Sequence, residues 1–301
     1  MSGGAPKRHH YVPQFYLRRF ARADDPNKVA VIERHRDVLV ADIKSIGGIG
    51  YEEGLHDFHE GRARASIEGA LNKTVETPFS QSPTWQKISN GGCANLDAAD
   101  RLPLYGFARH LQLRNLETLR FIEAENARFR RGELDGQLSD DEQDMHSWIA
   151  ASADGGHALF REGALATLLP PDAGAINVMV CRSPIALRTS TNPAVRVSYP
   201  GQGSVYGGFF DPFRTWWLAL DREWGALIVA GGPSGFSINE MPDDAARVMN
   251  RQYLVQLLHG GSARYLLAED DYIAEDLEWA DFVFDRQTTR GFRYRARSAL
   301  R

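Results

Sequence analysis

The hydrophobic pattern changes period at Pro170-Pro171, and no other feature of the chain constrains its fold as strongly. Upstream, apolar residues recur at helical spacing. The longest such run passes through Leu104, Phe107, Leu111, Leu116, Leu119, Phe121 and Ile122, with Asn95 or Asp97 placed to cap it. Shorter helices are predicted over 13–22, 57–76, 82–87, 139–151 and 156–169, the last stopping at the prolines. In the 57–76 segment, Glu60, Arg64 and Glu68 recur every fourth residue as a surface ion ladder would. Downstream, short β-like runs at 176–181, 186–189, 195–199, 215–221 and 226–230 alternate with Gly, Pro and Asn turns. A helix over 243–258 and a strand over 264–267 follow, and an early hairpin is predicted from Lys28–Glu33 and Val38–Ile43. The expectation is an α+β protein, a helix-rich N-terminal part packed against a strand-rich C-terminal part. It reads as one domain over 1–285, helix-rich to 169 and strand-rich from 175, with a basic C-terminal tail at 286–301.

Apolar residues make up 43% of the chain and charged ones 25%, enough to bury a core. No run approaches the roughly 18 apolar residues of a membrane span, and the opening lacks the apolar stretch of a signal peptide. A cytoplasmic protein with no membrane partner is therefore expected. Cys93 and Cys181 lie far apart and neither belongs to a CxxC, which argues against a disulfide framework or a cysteine zinc site. The net charge is −4, yet Lys7, Arg8, Arg18, Arg19 and Arg22 make the start basic, and no acid follows Asp285. Such clusters attract polyanions even on an acidic molecule, so nucleic acid or a nucleotide is the partner class considered; oligomeric state is left open.

The block Lys7-Arg8-His9-His10-Tyr11-Val12-Pro13-Gln14-Phe15 is the densest group of chemistry-bearing side chains. Two imidazoles can divide acid and base roles or bind a metal, and Lys7 and Arg8 can hold phosphate oxygens. The plain structural alternative is that His9 and His10 bond backbone groups at a helix entrance. His56 and His59, three apart, form a second candidate metal pair without a third ligand nearby, and His110 and Arg114 share a helical face. The aromatic run Phe209 to Trp217 is either a stacking surface or a strand entering the core, and Trp216, Leu218 and Leu220 alternate as the latter would. The HExxH, GxxxxGK[ST] and GxSxG patterns are absent.

The stretch KRHHYVPQFYLRRF resembles the opening signature of the uncharacterised family called domain of unknown function 4238. Further echoes are Tyr51 with Ile67-Glu68-Gly69, Arg114 after a helical apolar run, and LRTSTNPAV at Leu187 to Val195, so that the resemblance spans residues 7 to 270. It implies an arrangement and no established activity. Where the family's Asn-Pro turn usually carries an acid, this chain has Thr191, which removes a hard-metal ligand from that turn.

Two function classes follow. The first is a phosphodiester-cleaving, nuclease-like hydrolase. In it His9 and His10 act as base and acid, Glu68 orients, Arg114 stabilises phosphorane charge, and Lys7, Arg8, Tyr11, Gln14 and Asn192 contact substrate. It calls for no cofactor, and a divalent metal is left open. The second is a non-catalytic protein recognising nucleic acid or a nucleotide through its basic ends.

Overall fold

The structure is a computed structural model and describes residues 8–60, 63–152, 154–165, 175–197, 214–231, 233–258 and 262–300. Lys7, the Pro170-Pro171 junction and the aromatic residues up to Phe213 lie outside the described residues.

Strand β1 (Arg8–His10) leads through Pro13 into helix α1 (Gln14–Leu17), which continues as a 3₁₀ turn to Phe20. The hairpin of β2 (Lys28–His35) and β3 (Val38–Ser45) follows, and then β4 (Tyr51–Glu53), which pairs antiparallel with β1. The expected helix over 57–76 is instead a second hairpin, β5 (Asp57–Glu60) with β6 (Ala63–Ser66), and helix begins only at α2 (Glu68–Leu71). The fourfold charge spacing carried no helical stripe in its first half. Phe58 is the one large apolar residue there, and it packs on Ile67, Leu71 and Ala164. A π-helical turn over Asn72–Glu76 joins α2 to α3 (Thr77–Ser80), and α4 (Pro83–Ser89) follows.

The longest helical signal divides into α5 (Arg101–Leu113) and α6 (Leu116–Arg130). Asn115 causes the break, because its side chain accepts the N–H of Thr118 and caps a new helix. Asp97 forms a capping box with Asp100 just before α5. Helices α7 (Asp140–Ala151) and α8 (Gly156–Leu165) complete this part.

The later segment contains β7 (Ile176–Arg182), β8 (Thr189–Ser190), β9 (Ala194–Arg196), β10 (Arg214–Ala219), β11 (Trp224–Ala230) and β12 (Gly235–Glu240). Then come α9 (Asp243–Leu258), β13 (Tyr265–Leu267), α10 (Ile273–Trp279), β14 (Phe282–Gln287) and β15 (Phe292–Ala296). One sheet has the order β12-β7-β11-β10-β9; the other has β14-β15-β3-β2-β13-β8. The fold is thus mixed α+β, and the N-terminal hairpin sits inside a sheet completed by C-terminal strands. The segment read as a basic tail supplies β15, which pairs with both β14 and β3; its alternating aromatic and basic residues suit a half-exposed strand.

A contiguous cluster of buried apolar residues runs from Tyr11 to Phe282. Tyr16 ties the opening motif into it, because its hydroxyl donates to the carbonyl of Ala219 on β10 at 2.8 Å and lies 2.8 Å from Thr189 Oγ1 on β8. Trp216 and Trp217 are both fully buried, which settles the last part of the aromatic run as core.

Candidate metal centre

Successive residues of a strand face opposite ways, and β1 applies that rule to the paired histidines. His9 is fully buried, whereas His10 lies half-buried on the side where Arg8 stacks over the Tyr51 ring at 4.7 Å. The β1–β4 pairing carries the chain through a turn at Gly54, which takes a φ of 68°, and brings His56 back against His9. The two rings lie nearly parallel, with centroids 5.4 Å apart. His9 Nδ1 accepts the backbone N–H of His56 at 2.9 Å, and His9 Nε2 faces Asp57 Oδ1 at 3.5 Å.

The β5–β6 hairpin then returns the chain so that Glu68, in the first turn of α2, meets His56: Glu68 Oε2 and His56 Nδ1 are 2.7 Å apart. His9, His56 and Glu68 each offer a ligand atom within 4.8 Å of the other two. With Nδ1 committed to the carboxylate, Nε2 of His56 keeps its lone pair, and this buried atom has no hydrogen-bond partner.

Arg114, at the C-terminal end of α5, closes the cluster. It is fully buried, donates to Glu76 and to the backbone carbonyl of His10, and donates through Nη1 to His110 Nε2 at 2.9 Å. Its Nε finds no partner. Accepting at Nε2 fixes neutral His110 as the Nδ1–H tautomer. Burial, reinforced by the Arg114 cation and by His56, holds His110 well below the usual histidine range. Burial likewise lowers His56; the bond to Glu68 works against this shift and Arg114 adds to it. For Glu68, burial opposes the charge, but the bond from His56 and the field of Arg114 outweigh it and keep the carboxyl low. At neutral pH Glu68 is therefore a carboxylate beside the neutral imidazoles of His56 and His110, the protonation state that metal binding needs of those groups.

Of the residues singled out in the sequence, His9, Glu68 and Arg114 come together here, with His10 joined through its carbonyl. Gln14 donates to His10 Nε2 at 3.1 Å, with its amide oriented to suit the ring's lone pair. Arg8 is exposed, and Tyr11 turns away toward Thr191. Asn192 lies elsewhere: it accepts from Asn115 Nδ2 at 2.7 Å and donates to Glu117. Thr191 accepts the backbone N–H groups of Arg264 and Tyr265, so the missing acid of that turn bears on a loop and not on the His9–His56–Glu68 group. His56 meets His9 and Glu68 across strands, and the side chain of His59 lies outside the described residues. No sequence spacing announces a contact that depends on β1 meeting β4.

Residues 8–162 match the model of a family described as protein of unknown function (DUF4238). No curated protein and no solved structure matches the chain.

Proposed function

The chain belongs to the DUF4238 family, whose description carries no activity, and from its own geometry we propose a nuclease-like, phosphodiester-cleaving hydrolase built on a divalent metal held by His9, His56 and Glu68. The observation that carries this reading is the convergence of two imidazoles and one carboxylate within 4.8 Å. Two nitrogen ligands and one oxygen ligand suit a borderline ion such as zinc and leave a coordination position open. A bound ion of this kind supplies a water-derived nucleophile at neutral pH. The same donor set serves non-haem iron. The buried Arg114 cation, bonded to Glu76, His110 and the His10 carbonyl, adds a positive field that helps keep Glu68 ionised as a ligand. Glu68 fixes the His56 tautomer and leaves its Nε2 for an ion, while His9, with Nε2 turned to Asp57, would ligate through Nδ1 in place of the backbone N–H of His56 that it accepts. Sharing one scissile group between His9 and His10 as base and acid fits less well, since the two rings leave opposite faces of β1.

A metal-free version of the chemistry has one observation of its own: the lone pair of His56 Nε2, oriented by Glu68, is arranged as in a carboxylate-supported general base. One experiment separates the readings. Purified protein is dialysed against chelator, titrated with zinc, manganese and iron(II), and assayed on labelled RNA and DNA; wild type is compared with His56→Ala and Glu68→Gln. Stoichiometric binding that raises the melting temperature, is weakened about 10–100-fold by Glu68→Gln, and restores cleavage is the expected result. Chelator-resistant cleavage lost in His56→Ala selects the metal-free base. Metal binding with no cleavage of either substrate rejects the phosphodiester assignment.

A further inference from the structure

On the other side of the opening motif, Tyr11 faces a cleft of about 380 Å³, within the size range of small-molecule sites. Arg34, Arg36, Arg120 and Arg264 line it, and all four are exposed. They come from separate elements: the β2–β3 hairpin, the first turns of α6, and the residue before β13. Among the described residues, Glu33 and Glu52 oppose them in the lining, at 3.7 and 4.0 Å from Arg264, and Glu33 is also bonded to Lys44 at 2.9 Å. A molecule of net charge −4 thus gathers a cationic surplus in one concavity.

Arg36 adds an independent sign. It is the first residue of the two-residue connection between β2 and β3, and it adopts a φ of 55°, a position that glycine fills without strain. Arg34 Nε donates to its carbonyl at 2.9 Å and Arg34 Nη1 donates to the carbonyl of Leu258 at the end of α9, so the hairpin tip is held against the cleft. The turn itself gives arginine no advantage over glycine at this position.

We propose that this cleft binds phosphate groups of a nucleotide or of a single-stranded nucleic acid. Planar guanidinium forks match phosphate oxygens, and guanidinium groups delivered from several directions surround a phosphate in a way that one basic helix face cannot. The inference concerns binding and stands apart from the metal centre.

The test is fluorescence anisotropy with labelled single-stranded RNA and DNA of mixed sequence, with competition by nucleoside monophosphate and by inorganic phosphate. Wild type is compared with the triple variant Arg36→Gln, Arg120→Gln, Arg264→Gln, with Arg36→Gly, and with His56→Ala, after circular dichroism establishes that each is folded. The expected result is binding that weakens with salt, falls at least about 10-fold in the triple variant with a salt slope shallower by about 2, and persists in His56→Ala. Arg36→Gly is expected to bind more weakly while melting no lower than wild type. Competition by mononucleotide identifies a nucleotide site; tight oligonucleotide binding that mononucleotide cannot displace identifies a strand. Undiminished binding by the triple variant, or no binding of any phosphate probe by wild type, overturns the proposal.

Discussion

His110 has no ligand role in the proposed centre, yet its place beneath Arg114 sets how the protein responds to acid. Its folded-state pKa lies well below 6.5, so the native state holds it neutral while the unfolded chain takes up a proton as pH drops past that value. Stability from this residue is complete above pH 6.5 and is lost as pH falls from there toward the folded value, at about 1.4 kcal/mol per pH unit. Melting temperatures should therefore hold from pH 8 to about 6.5 and decline from there to pH 5, and His110→Gln, which keeps an acceptor for Arg114, should decline less steeply. Parallel curves for the two proteins would show that another group titrates. The sequence placed His110 and Arg114 on one helical face correctly, because that relation is local. It could not reveal that Glu76 and the carbonyl of His10 would complete the guanidinium's bonding, because those partners arrive through chain reversals.

Elements with strong local periodicity were legible: β2, β3, β7, β10, β11, α4, α7 and α9 lie close to where alternation or helical spacing placed them, whereas β12 was not expected. The segment from Asp57 to Ser66 was not, since its charges fit a helical ladder and a hairpin equally well until Phe58 finds its neighbours. The same limit hid half the candidate site, because His56 reaches His9 only through β1–β4 pairing. In the five-stranded sheet, packing is tight enough for a single methyl group to matter. A Cβ at Gly225 on β11 would meet the buried Trp217 ring at 2.2 Å, so Gly225→Ala should cost about 1–3 kcal/mol in denaturant unfolding. Adding Trp217→Leu should return part of that loss. If Gly225→Ala alone unfolds like wild type, the ring is not wedged against this strand.

At the scale of the molecule, the two halves read from sequence are interleaved. Strands β2 and β3 from the helix-rich part complete a sheet with β8, β13, β14 and β15, and a contiguous apolar cluster draws on both. Cutting the chain at a protease site introduced between residues 166 and 174 should accordingly give fragments that co-elute on gel filtration and separate only in denaturant. Fragments that separate and melt independently would mean two domains. The interleaving also divides labour along the chain. Every side chain of the proposed centre occurs no later than Arg114, whereas the cleft also borrows Leu257 and Arg264 from beyond the last strand of the five-stranded sheet. Arg264 alone among the cleft's four arginines is encoded far from the proposed centre, so substitutions there would change the affinity of the proposed anion site while His9, His56 and Glu68 stay as they are.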